Sequence, residues 1–172
     1  SNELKIRWNI TREIMFNISL NKELKTNFSS YATNRNYELN VKDLKGKFSF
    51  QPNTLFRVSL VGRYTEKINS IIYGGEQAFL TDLGVDFRKN KKNKGLISGS
   101  IHVVNIEFIG LSNSSIGFEM LEGLQQGFNT TWSLNVQRNL AKNLQLSLNY
   151  NGRKSQENST IHNGGIQLRA FF

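Results

Sequence analysis

The 172-residue chain has no cysteine, one proline (Pro52), two histidines, and no apolar run approaching the length of a membrane-spanning helix. Without cysteine it can have neither a disulfide framework nor a thiolate metal site. Without some 20 consecutive apolar residues it cannot cross a bilayer as a helix. Hydrophobic residues make up only 38% of the chain, little for a water-soluble interior of this size. A transmembrane barrel needs less, because only alternate residues face lipid. Acidic residues are also sparse, 13 against 22 Lys and Arg, leaving a net charge of +9. Such a balance fits nucleic acid, an anionic membrane surface or a basic channel interior. The opening SNELKIRWN has no basic start followed by an apolar stretch, so either an export signal has been removed or the sequence starts inside a longer protein.

What is present is alternation of period two, with helical periodicity nearly absent. Ile166, Leu168, Ala170 and Phe172 form one file against Asn163, Gly165, Gln167 and Arg169. Leu144, Leu146, Leu148 and Tyr150 alternate likewise with Gln145, Ser147, Asn149 and Asn151. The same pattern recurs upstream and predicts nine strands over 3–10, 13–23, 37–50, 54–67, 76–89, 95–108, 127–139, 142–155 and 161–172. In two of them, 37–50 near Asp43 and 95–108 near Val103-Val104, the apolar residues change parity. A β-bulge explains such a switch, and so does a strand end that protrudes beyond the membrane. The links alternate too. Those at Thr11-Arg12, 51–53, 90–94 and 140–141 are short, while 24–36, 68–75, 109–126 and 156–160 are long. Short turns at one end and long loops at the other describe an outer-membrane barrel with its short turns periplasmic.

Alternation alone leaves two architectures open. In a soluble barrel the apolar file points inward, around a small ligand or beneath a nucleic-acid surface; in a membrane barrel it points outward. The strand lengths, mostly 11–14 residues, favour the second, since a tilted crossing takes about 9–11. So do the aromatics near the ends of the apolar files, among them Trp8, Phe50, Tyr64, Phe87, Trp132 and Tyr150, at the level where rings meet headgroups. The ending Gly-Ile-Gln-Leu-Arg-Ala-Phe-Phe resembles the terminal strand of bacterial outer-membrane barrels. The segments 139–154 and 117–127 resemble the texture of large outer-membrane proteins of Bacteroidetes-type bacteria. The resemblance implies an all-β, antiparallel, up-and-down transmembrane barrel in the outer membrane. It also implies that Ile166, Leu168, Ala170 and Phe172 form the signal read by the barrel-assembly machinery.

With the apolar files on lipid, the polar files line a lumen. They carry Lys5, Arg7, Lys45, Lys47, Arg57, Arg63, Arg88, Arg153 and Arg169 against Asp82 and Asp86. This lumen either favours anions or an acidic plug, or is a solvated wall whose charges pair elsewhere. No catalytic, cofactor or metal site is expected: His102 and His162 show no motif and no partner in sequence, and two histidines without cysteine make a poor structural zinc site. The basic run Arg88 to Lys94 reads as a solvated turn, with no interleaved aromatics of the kind that stack single-stranded nucleic acid. Residues 116–125 predict a short helix with Phe118, Leu121 and Leu124 on one face, capping the barrel mouth or meeting a surface partner; an ordinary ordered loop is the alternative. The Asn-x-Ser/Thr triplets, Asn129 among them, read as composition. The function expected is a transport barrel or the anchor of a surface assembly.

Nine antiparallel strands put both ends of the sheet in the same direction, whereas single-chain bacterial barrels have an even number. The chain is therefore expected not to close alone, but to pair at both edges with further strands, upstream or in another chain. Deleting Phe172 should lower the heat-modifiable, membrane-inserted fraction in cells, read by gel shift of outer-membrane preparations. Normal insertion of the truncated chain contradicts the terminal-signal reading.

Overall fold

The computed structural model describes residues 1–31, 36–92, 94–156 and 158–171. Phe172, Asn93 of the basic turn and 32–35 of the first long loop lie outside them. Nine strands form one sheet in sequence order: β1 (Asn2–Asn9), β2 (Ile14–Asn27), β3 (Tyr37–Asn53), β4 (Phe56–Asn69), β5 (Gln77–Lys91), β6 (Gly95–Ile109), β7 (Gly127–Ala141), β8 (Leu144–Ser155) and β9 (Ile161–Ala170). Each pairs antiparallel with the next. The nine expected strands are all present, several of them extended toward the long loops. Among the described residues the sheet is open: β9 does not pair with β1, and both edge strands are exposed along their length.

Local chemistry sets the turns. Thr11 Oγ1 accepts hydrogen bonds from the Glu13 and Ile14 amides at 3.2 and 3.0 Å, folding the β1–β2 link. Asn53 Oδ1 accepts from the Leu55 and Phe56 amides, both at 2.9 Å, and the only register shift between β3 and β4 lies between Phe50 and Asn53. Pro52 sits inside this irregularity, where a residue without an amide proton costs no ladder bond. The second shift falls at the β7–β8 turn, between Asn139 and Ala141.

Neither shift lies where the apolar parity changes. β3 is in unbroken register from Leu39 to Phe50, and β6 from Gly95 to Ile106 with both neighbours. The bulge reading of those switches is therefore corrected. The strands stay regular while their apolar residues move to the other face. Leu39 and Val41 of β3, Ala78 and Leu80 of β5, and Val104, Ile106 and Phe108 of β6 form a buried cluster with Ile116, Met120 and Leu121 from the β6–β7 connection.

That connection folds over one face of the sheet. Ser114 caps a short helix, α1 (Ser115–Met120), accepting the Gly117 amide at 3.0 Å and donating to the Leu111 carbonyl at 2.7 Å. The predicted helix is present but shorter than expected, and its buried side differs. Ile116 and Met120, four residues apart, point into the cluster together with Leu121, and Leu124 packs at its border. Phe118 is 69% exposed. The chain leaves the helix at Leu121 and turns through Glu122 (φ 55°) and Gly123 (φ 72°), so the spacing 118–121–124 never becomes one helical face. Two buried asparagines pin the neighbouring loops. Asn69 accepts the Glu38 amide and donates to the Tyr73 carbonyl and Glu76, while Asn129 bridges Gln125, Gly127 and Ser155.

Candidate functional site

Directly paired residues share a face, so the register divides the whole sheet in two. One face carries an apolar belt. Following cross-strand partners from Trp8 leads through Phe16, Phe48, Leu60, Val85 and Ile101 to Trp132. Next to this row stand Ile6 and Ile18 on one side, and Ile14, Phe50, Val58 and Phe87 on the other. The belt is open to its surroundings: Trp8 is 64%, Leu83 64% and Ile166 75% exposed. Charges bracket it. Lys22, Lys42 and Glu66 form one row beyond its long-loop edge, and Lys89 and Arg138 lie on the same face beyond its short-turn edge. From Leu44 to Phe50 or from Phe56 to Tyr64 the apolar stretch is about 20–26 Å long along the strand at roughly 3.3 Å per residue. At the 35–45° tilt of barrel strands this rises roughly 14–21 Å, somewhat short of the about 25 Å apolar band of outer-membrane barrels.

The belt runs obliquely to the hydrogen-bond rows. The row of Trp8 continues from Trp132 to Gly152 and His162, yet the apolar stretch of β9 starts only at Ile166. Its centre drifts by about seven residues over eight strand intervals. With about 3.3 Å per residue and 4.8 Å per interval, this is a slope of roughly 30°, just below the 35–45° by which barrel strands tilt. Ring-bearing residues lie along the oblique edges: Tyr64, Trp132 and Tyr150 on the long-loop side, Phe50, Phe56 and Phe87 on the other. Gly152 lets the Trp132 indole lie across β8, since a Cβ there would overlap the ring. His162 belongs to this face, not to the polar one: its Nδ1 meets the Tyr150 hydroxyl at 2.7 Å and its ring lies 5.9 Å from Trp132.

The opposite face is polar and carries all nine sequence-predicted basic residues, Lys5, Arg7, Lys45, Lys47, Arg57, Arg63, Arg88, Arg153 and Arg169. They do not form one cluster. Toward the long loops they hold the cap. Arg63 pairs with Asp43 at 2.5 Å and, in fork geometry, with Glu122 at 3.3 and 3.4 Å. The Thr65 hydroxyl donates to Asp43 at 2.6 Å. Arg153 donates to the Gly123 carbonyl at 2.7 Å. Sequence reasoning missed Lys67 and Lys25. Lys67 is buried (4% exposed), pairs with Glu122 at 3.0 Å, and donates to the Met120 and Glu119 carbonyls at 3.0 and 3.3 Å. Its charge thus sits at the C-terminus of α1, where the helix dipole welcomes a cation. Lys25 pairs with Glu119 at 2.9 Å. One short segment therefore contacts β2, β4 and β8, six strand intervals apart or about 29 Å along a flat sheet, so the sheet bends around it.

In the middle of the face His102 bridges two carboxylates, Nδ1 to Asp82 at 2.8 Å and Nε2 to Asp86 at 3.1 Å, and Asp86 also takes Lys47 at 2.9 Å. Gly84, directly opposite His102, leaves room for the imidazole, which a Cβ would overlap. The partners of His102 emerge only from the β5–β6 register. Among the described residues no group of three or more His, Cys, Asp or Glu is arranged to hold a metal, and no helix is long and apolar enough to cross a membrane. No protein-family model and no curated protein matches the chain.

Partial burial raises the affinity of the Glu122 carboxyl for a proton, but the Lys67 hydrogen bond and the charges of Lys67 and Arg63 outweigh it and hold its pKa below the usual carboxylate range. A depressed folded-state pKa adds stability that is present above the unfolded value and lost as pH falls through the folded one. Hydrogen exchange in 110–126 should therefore accelerate on acidification below the carboxylate range, with the strands still protected. In Glu122→Gln the exchange should be faster at neutral pH and lose most of its pH dependence. An unchanged profile in the variant contradicts the assignment.

Proposed function

We propose that this chain is part of the wall of a bacterial outer-membrane β-barrel, with its apolar belt on lipid and its polar face lining a wet lumen. The observation that carries the reading is the belt: continuous across the strands, open on the face away from the cap, bracketed by charge and inclined like the strands of a tilted barrel. A soluble sheet has to bury such a face, and among the described residues nothing covers it.

The reading assigns the rest of the molecule. The basic residues of the polar face stay in water and avoid the roughly 2–4 kcal/mol of a mid-bilayer charge. The open edges of β1 and β9 take further strands, from upstream or from another chain, because each unpaired backbone group in lipid costs several kcal/mol. Ile166, Leu168 and Ala170, in one file on the lipid side of β9, serve as the assembly signal, and the barrel-assembly machinery is the partner during insertion. The short turns are periplasmic and the long loops extracellular. Phe118, exposed beside the capped segment, is the contact offered to a surface partner, while Leu121 and Leu124 hold the cap to the sheet. The barrel serves as a transport barrel or as the membrane anchor of a surface assembly, and the segment folded over the mouth supports the anchor. It has no enzymatic role, no cofactor and no nucleic-acid partner. The resemblance to large Bacteroidetes-type outer-membrane proteins is consistent with this assignment.

Spin labels test the two faces. In lipid, labels at Val85, Leu134, Leu146 and Leu148 should be relaxed strongly by oxygen, and labels at Asp86, Asn135, Gln145 and Ser147 by a water-soluble reagent. Equal accessibility of the two sets, or protection of the leucine file from both reagents, contradicts the membrane reading.

A further inference from the structure

On the polar face Lys5, Lys25, Lys47, Arg63 and Lys67 pair with carboxylates, while Arg7, Lys45, Arg57, Arg88, Arg153 and Arg169 have no carboxylate partner among the described residues, and two of these stand together at the short-turn end. Arg57 of β4 and Arg88 of β5 are direct cross-strand partners. Directly opposed side chains have Cβ atoms only about 5 Å apart, and like charges there destabilise a sheet. Arg63, three rows away, has Asp43 and Glu122, and Lys47 has Asp86. Among the described residues Arg57 and Arg88 have no carboxylate partner.

Each is nonetheless oriented. Arg57 Nε donates to Gln51 Oε1 at 2.8 Å, and Arg88 Nε donates to Asn90 Oδ1 at 3.4 Å. These neutral acceptors engage one N–H per guanidinium, and among the described residues the terminal nitrogens have no hydrogen-bond partner. Ser98 stands directly opposite Arg88 on the next strand, and Asn135 opposite Ser98. Both have polar side chains that bond nothing among the described residues, whereas the serines of the adjoining row are occupied with each other, Ser49 with Ser59 and Ser100 with Ser133. Arg57, Arg88, Ser98 and Asn135 line a single groove together with the Lys47–Asp86 pair, whose carboxylate is already engaged by the lysine.

From this geometry we infer an oxyanion-binding site in which the Arg57 and Arg88 guanidiniums jointly grip a phosphate or carboxylate group, with Ser98 and Asn135 as further donors. Two forks converging on one anion turn the repulsion between them into attraction, and planar guanidinium matches the paired oxygens of both groups. The site does not rest on the membrane reading, since the polar face is wet whether the opposite face meets lipid or protein. Spin labels that refute the belt's lipid contact leave it standing.

Isothermal titration of the full chain in detergent micelles at low salt, with inorganic phosphate and separately with succinate, tests the site. At least one probe should bind, and Arg57→Gln or Arg88→Gln should each weaken it about tenfold or more. Arg57→Lys, which keeps the charge and loses the fork, should weaken it several-fold. Binding of phosphate alone assigns a phosphoryl ligand, and of succinate alone a carboxylate. Without any oxyanion, Arg57→Gln should melt at or above the wild-type temperature, because it removes a repulsion, and its melting should no longer rise with added probe. The inference is overturned if neither probe binds, if the Gln variants bind like wild type, or if Arg57→Gln melts lower and still responds to the probe.

Discussion

A β-strand cannot move a side chain to its other face without a bulge, and this constraint organises the molecule. Between the turns the register of all nine strands is unbroken, the two shifts lying at Phe50/Asn53 and Asn139/Ala141. Residue parity therefore assigns every strand side chain to the belt or to the polar face. The backbone ladder supplies cohesion along the sheet, and the side chains decide only what each face meets. On one face they meet nothing within the described chain. On the other they meet α1 and its flanking turns at one end and open groove at the other.

The polar face is graded along the strands. Near the long loops it is dry enough to bury Leu39, Ile106 and Met120, and the lysine it buries, Lys67, is surrounded by the Glu122 carboxylate and two carbonyls. Unpaired, such a charge would be costly; fully bonded, it specifies where the segment sits. Glu122 takes a left-handed backbone rare for a residue with a side chain, and its contacts with Arg63 and Lys67 hold it there. Midway, Lys47 pairs with Asp86, and His102 bridges Asp82 and Asp86. At the short-turn end Arg57 and Arg88 face each other with no acid beside them among the described residues.

The strands and the face of each predicted basic residue were legible in the sequence because both follow from a period of two, and the strand order and the sorting of loops because short and long links alternate along the chain. The oblique course of the belt was not, since it needs the register that relates one strand to the next. For the same reason the partners of His102 and the opposition of Arg57 to Arg88 could not be read: each joins residues whose pairing is fixed only in space. The parity switches near Asp43 and Val104 were visible but open to two explanations, and continuous register excludes the bulge. Helical spacing put Phe118 with Leu121, whereas the chain leaves α1 before Leu121 and a non-local core selects Ile116 and Met120 instead.

The two tryptophans offer the most direct test of the belt. Trp8 and Trp132 lie in one cross-strand row, on β1 and β7, both on the belt face. Reconstituted in vesicles containing brominated lipids, the chain should show strong quenching of both, and Trp132, nearer the oblique long-loop edge, should respond best to bromines placed closer to the headgroup than those that best quench Trp8. Quenching of both by aqueous acrylamide, with no response to brominated acyl chains at any depth, contradicts the claim that this face meets lipid.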